Sequence, residues 1–300
     1  MPVPLWGIGI LSFIKFLFSG VIIMQSKKSP IGIFDSGYGG LTIFKNIRKL
    51  MPGYDYIYFG DNARTPYGPR SFEIVYQFTR QAVMRLFDEG CPLVILACNT
   101  ASAKALRSIQ QCDLPESVDP TRRVLGVIRP TVEALGALSR TRHIGILGTA
   151  GTISSGSYQM EIEKLYPDMT VTGEACPMWV PLVENREYDT IGADYFVHKN
   201  IDHIFVSDSQ IDTLVLGCTH YPLLEAKIRK YLPKGVTLLS QGPYVAESLK
   251  NYLLRHPEMS GRLSENGECR FLTTEAQGKF SETASLFLQL SVDVEKVFIS

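Results

Sequence analysis

Of the six cysteines in this 300-residue chain, two share a setting. Cys98 closes the apolar run LVILAC and is followed by Asn99-Thr100; Cys218 closes TLVLGC and is followed by Thr219-His220. Runs of that length and composition read as buried strands, so both thiols fall where a strand gives way to a loop and helix. In open α/β folds that edge is where ligands bind. Helix N-terminal amides favour thiolate, and a modest downward shift from about 8.5 makes a thiol a base near neutral pH. Two such thiols, one from each half of the chain, suit one carbon approached from both faces. One thiolate removes a proton and the thiol opposite delivers one. The rival reading is that a buried Cys is only a small hydrophobe. Matched strand ends and matched polar followers favour chemistry for Cys98 and Cys218. Cys91, Cys112, Cys176 and Cys269 lack that setting and read as structural.

Other polar residues gather near these strands. Asp35-Ser36-Gly37-Tyr38-Gly39-Gly40 follows the first apolar run, and its glycines let backbone amides approach an anion. No GxxxxGK[ST] is present, so a nucleotide phosphate loop is a poor fit and a carboxylate ligand a better one. Asp35 and Ser36 suit contact with an ammonium group or a catalytic thiol, with a turn carboxylate as the plain alternative for Asp35. Thr65-Pro66-Tyr67-Gly68 reads as a stiff turn whose amides face a ligand, though a purely structural turn explains it equally well. His220 is placed to tune or relay protons for Cys218. Thr149 and Thr152 occupy the loop that corresponds to Asp35-Ser36, where hydroxyls suit a substrate carboxylate. Glu184 in VPLVEN is a candidate for a substrate ammonium, against a merely solvated Glu.

To position these groups the chain needs α/β architecture. From residue 31 apolar runs alternate with amphipathic helical patterns, the mark of a mainly parallel sheet. Strands are expected at IGIFD (31–35), YDYIYFGD (54–61) and LVILAC (93–98), with helices from about 42, over 71–89 and from about 101. After a polar, Pro-bearing stretch at 115–123 the pattern restarts with HIGILGT. Cys98 lies 63 residues after Asp35, and Cys218 lies 69 after Thr149. The expected fold is therefore two pseudo-symmetric, doubly wound, flavodoxin-like α/β domains with the site in the cleft between them. Residues 30–122 with about 239–300 form the first domain and 123–238 the second. Residues 1–29 form a hydrophobic extension outside the fold, and Met24 reads as the natural start in preference to a membrane anchor preceding it.

Bulk properties narrow the class. Thirty basic against thirty acidic residues leave no net field, which argues against nucleic acid or a membrane surface as the main partner. No CxxC pair or zinc-type Cys/His spacing occurs, and free thiols suit a reducing cytoplasm.

The motifs FDSGYGGLT, YFGDNARTPYG, ACNTASA, GTAGTISSGSY, CPMWVPLVEN and LGCTHYPLL, in that order, resemble the cofactor-independent aspartate/glutamate racemase family, and its glutamate racemases in particular. The resemblance spans roughly residues 31–252. It implies racemisation of glutamate between two domains, without pyridoxal phosphate or metal, with Cys98 and Cys218 as the bases and Asp35 and His220 assisting. It implies that Ser36, Tyr67, Gly68, Asn99, Thr100, Thr219 and His220 surround the amino acid. It further implies D-glutamate for peptidoglycan, a homodimer, a possible response to a cell-wall nucleotide precursor, and Cys98 serving the D-enantiomer with Cys218 serving the L. Tyr38 departs from the usual smaller aliphatic residue, and LLSQGPYVAESL stands where an Asp-Ser pair is common. Alternatives are racemisation of another acidic amino acid such as aspartate, a Cys-nucleophile hydrolase that leaves one thiol unexplained, and a non-catalytic amino-acid-binding regulator.

Overall fold

Parallel strands covered on both faces are mostly apolar, and IGIFD follows that rule up to its terminal Asp35: all five residues of β1 (Ile31–Asp35) are buried. The computed structural model describes residues 28–288 and 291–299. Helix α1 (Leu41–Leu50) turns Leu41, Ile43, Phe44 and Ile47 inward and ends on Arg48 and Lys49, cations suited to a helix C-terminus. Next come β2 (Tyr56–Gly60) and α2 (Phe72–Asp88), the latter capped by Ser71, whose Oγ accepts the Ile74 N–H. Strand β3 (Leu93–Leu96) leads into α3 (Asn99–Lys104), which starts two residues before the expected 101 because Cys98 itself occupies the N-cap. Strand β4 (Arg123–Gly126) then pairs in parallel with β3.

The chain crosses over through α4 (Ile128–Leu138) and begins a second sheet with β5 (His143–Gly148). Helices α5 (Ala150–Ser154) and α6 (Ser157–Leu165) precede β6 (Thr170–Ala175), and α7 (Trp179–Glu184) and α8 (Ile191–Ser207) precede β7 (Thr213–Gly217). Helix α9 (Glu225–Tyr231) and β8 (Thr237–Leu239) complete this half. The chain returns through α10 (Gly242–Arg255), and β9 (Cys269–Thr273), α11 (Gln277–Leu288) and β10 (Val294–Lys296) finish the first sheet.

Strand orders are β10-β9-β2-β1-β3-β4 and β6-β5-β7-β8, all parallel. The run 2-1-3-4 in one sheet is matched by 6-5-7-8 in the other, so the two halves repeat one topology. Each sheet is covered on both faces. The crossings are exchanged: α4 leaves the first sheet to pack Ile128, Val132 and Leu135 on the second, while α10 leaves the second to pack Val245, Ala246 and Leu249 on the first.

Some boundaries differ from expectation. The first sheet runs through Gly126 rather than ending at 122, because 123–126 hydrogen-bonds beside β3. Ser29 pairs with Leu263, so residue 29, placed outside the fold by expectation, belongs to it. The reading of residues 1–24 and of Met24 lies outside the described residues; among those described, no helix is long and apolar enough to cross a membrane.

Candidate active site

Equivalent strands deliver the two thiols. β3 lies beside β1 and β7 beside β5, and each is followed at once by its cysteine. Cys98 and Cys218 both line one cavity of about 120 Å³ between the sheets, room for several waters and hence for a small polar metabolite. Both thiols are more than nine-tenths buried.

Around Cys98, the Ser36 hydroxyl lies 3.2 Å from the sulfur, and the Ala101 N–H donates to it at 3.4 Å. A lowered pKa was the expectation from the helix N-terminus; the thiol is instead pushed up to about 12. Burial is the main cause, the neighbouring Asp35 adds to it, and the two hydrogen bonds only partly offset them. Asp35 is fully buried and accepts the Gly37 N–H at 2.9 Å through one carboxylate oxygen, while the other has no protein partner. Burial raises its pKa, against the opposing pull of His220.

Cys218 is wired differently. Its sulfur is 3.7 Å from His220 Nδ1, and His220 Nε2 is 2.6 Å from Glu184 Oε1. Burial disfavours imidazolium here, but the hydrogen bonds to Cys218 and Glu184 outweigh it and hold the His220 pKa well above the ordinary range. The loop after β1 packs directly on this relay: a Cβ on Gly39 would fall 2.4 Å from Thr219 Oγ1 and 2.5 Å from His220 Nδ1. Only glycine fits.

Ser36, Tyr67, Gly68, Asn99, Thr100, Thr149, Thr219 and His220 line the cavity with the two thiols. Within that set, Tyr67 and Asn99 are among the side chains whose polar groups already have protein partners. The Tyr67 hydroxyl donates to Asp61, and the Asn99 amide pairs with Gln241, its Nδ2 donating to Oε1 at 2.6 Å. Asp35, Thr152 and Glu184, expected at the ligand, do not line the cavity. Asp35 sits beneath the glycine loop, Thr152 hydrogen-bonds Thr149 and Thr100, and Glu184 turns to His220 and faces a separate cavity. Tyr38 stacks on Phe280 at 5.5 Å and also stays outside.

Thr65 and Pro66 of the TPYG turn also line the cavity, and residues not foreseen there include Pro69, Cys176, Pro177, Val180 and Pro181. Cys176 directly follows β6, so it stands at the same sheet edge as Cys218, a strand-end signal like the one that marked the other two thiols. Gly68 and Thr149 bring the halves into contact: a Cβ on Gly68 would lie 2.8 Å from the Thr149 Cβ, and the Gly151 N–H donates to the Gly68 carbonyl at 2.9 Å.

Comparison with known proteins agrees on one family. Residues 40–248 match the family described as Asp/Glu/Hydantoin racemase. A glutamate racemase of Ruegeria sp. (strain TM1040) is 40% identical over 275 residues, 88% of this chain and 98% of that protein. A glutamate racemase isoform of Bacillus anthracis superposes with a TM-score of 0.81 at 36% identity, covering 91% of this chain and 98% of that one. The Francisella tularensis glutamate racemase, solved with D-glutamate, gives 0.79 at 32% identity over 92% and 98% of the two chains.

Proposed function

This chain belongs to the Asp/Glu/hydantoin racemase family and is a racemase, and we propose that it interconverts L- and D-glutamate by a two-base mechanism with Cys98 and Cys218 as the bases. The observation that carries this reading is the placement of both thiols on one cavity, each delivered by the equivalent strand of its own sheet. Glutamate is favoured over aspartate because relatives at about 40% identity over most of the chain are glutamate racemases.

One thiolate takes the α-proton, forming an S–H bond and leaving the electron pair on Cα. The opposite thiol then gives its proton to the other face of that carbon and becomes thiolate, so the site ends with the charge on the other sulfur. The reverse direction exchanges the roles. Cys98, held protonated by burial and by Asp35, is ready as the acid. Cys218 works with His220 and Glu184, a set able to hold and relay a proton. Amides and hydroxyls of the strand-end loops stabilise the carbanion, with Ser36, Thr100, Thr149 and Thr219 facing the ligand. Asp35 and Glu184 act from behind the two thiols rather than on the ligand. In this scheme Cys98 serves D-glutamate and Cys218 L-glutamate. The product supplies peptidoglycan synthesis in the cytoplasm; a homodimer and a response to a cell-wall nucleotide precursor belong to the same proposal.

The test is purified protein with L-glutamate in heavy water, followed by optical rotation and α-deuterium content. Both should change, and Cys98→Ala and Cys218→Ala should each lower the rate by at least about 10³-fold. A folded, glutamate-binding protein that changes neither signal sinks the reading, as does a variant that loses one thiol and keeps turning over.

A further inference from the structure

Behind the cavity lies a buried polar ring that the reaction scheme does not use. Asn99 Nδ2 donates to Gln241 Oε1 at 2.6 Å, the Tyr158 hydroxyl donates to Asn99 Oδ1 at 2.7 Å, and Gln241 Nε2 donates to the Tyr158 oxygen at 2.8 Å. The second Nε2 proton goes to Thr131 Oγ1 at 2.8 Å, and that hydroxyl donates to the Val127 carbonyl at 2.7 Å. These donors and acceptors form a consistent directed circuit, and Asn99, Thr131, Tyr158 and Gln241 are all more than nine-tenths buried. A circuit so completely matched in low dielectric is stiff, and removing one member leaves its partners unsatisfied.

Its anchoring points matter more than its strength. Val127 and Thr131 lie at the first crossing between the domains and Gln241 at the second, just after β8 and at the N-cap of α10. Asn99 directly follows Cys98. Tyr158 packs on β7, the strand that ends just before Cys218, since a Cβ on Gly217 would sit 3.4 Å from its ring. One ring thus ties both chain crossings to the residues flanking both thiols.

We infer that Gln241 is a positioning residue: its amide closes the ring that fixes the separation of Cys98 and Cys218, so that both sulfurs meet the same α-carbon. This rests on the two-thiol reading above. Gln241→Met keeps the length and removes every side-chain hydrogen bond. It should lower kcat in both directions by about 10²-fold while KM moves by less than about threefold, as expected when reacting atoms shift by about an ångström but binding contacts survive. Tyr158→Phe, which deletes one hydroxyl, should do the same more mildly and provides the test if Gln241→Met does not fold. Asn99→Ala combined with Gln241→Met should be no slower than the worse single variant, because the two residues close one circuit. A lower melting temperature with kcat within about twofold of the parent makes the ring structural only and overturns the proposal, as do losses that simply multiply in the double variant. Cys98→Ala and Cys218→Ala in the same series separate the two readings. If either remains active the base assignment fails; if both are dead while Gln241→Met and Tyr158→Phe run at full rate, only the positioning role fails.

Discussion

Cys98 and Cys218 stand at equivalent places in a repeated topology, yet their surroundings differ. Cys98 is flanked by the Ser36 hydroxyl and the Ala101 amide, with the Asp35 carboxylate buried close behind and raising its pKa. Cys218 faces an imidazole that is itself paired with Glu184. Repetition of the fold puts a thiol at the same place in each half, and the loops then break the symmetry. A negative neighbour favours thiol, which is the case at Cys98, whereas Cys218 has an imidazole–carboxylate pair beside it in place of a buried carboxylate. On the proposed two-base reading, each thiol thus has its own helper group.

The sharpest way to break that comparison is to cripple one flank at a time. His220→Asn should cost about 10²-fold in kcat, the ordinary scale of a lost proton-transfer group. Its α-deuterium isotope effect should rise only with the enantiomer whose proton Cys218 removes. Asp35→Asn should cost a similar factor and raise the isotope effect with the other enantiomer. If both variants raise it with the same enantiomer, the two flanks do not serve separate thiols.

A smaller effect tests how the first half holds the second half's relay. Gly39→Ala drives a methyl into Thr219 and His220 at contacts no side chain tolerates, so one of them must move. An overpacking cost of about 1–3 kcal/mol is expected, with racemisation falling by roughly an order of magnitude or more as His220 leaves Cys218. Steady-state kinetics with urea unfolding on one preparation reads both. Unchanged kinetics would mean that the His220 position is indifferent to this loop.

How much of this was legible in the chain follows from how local each feature is. The strands ending in the two cysteines were readable because parallel strands are apolar throughout and end abruptly. The destination of Asn99 was not: a polar residue beside a strand-end thiol reads as a ligand contact, and its partner Gln241 lies 142 positions away. Glu184 was visible as an acidic residue near the site, but its pairing with His220 arises only when β7 brings that loop against α7. Val180 and Pro181 escaped because α7 presents them to the cavity through tertiary packing that no periodicity records. The offset of 63 against 69 residues suggested the repeat, whereas the exchange of α4 and α10 between cores needs long-range contacts to be seen.

The smallest expected effect bears on Cys98 alone. Its pKa is pushed up to about 12 in the folded protein, against about 8.5 in an unfolded chain. A raised thiol pKa means that the folded state holds its proton more tightly than the unfolded state. The associated stability is fully present below about 8.5 and is lost as pH rises toward 12. Between pH 9 and 10.5 this one group should make the unfolding free energy fall by up to about 1.4 kcal/mol per pH unit, the value of one proton. Other buried groups with raised pKa values, Cys91 among them, titrate in the same window. The informative quantity is therefore the difference in slope between the parent and Cys98→Ser, measured by urea unfolding across that range. Cys98→Ser should flatten the slope by close to one proton. An identical slope would mean that Cys98 already ionises in the folded state, and the contrast with the His220-paired thiol would lose its electrostatic basis.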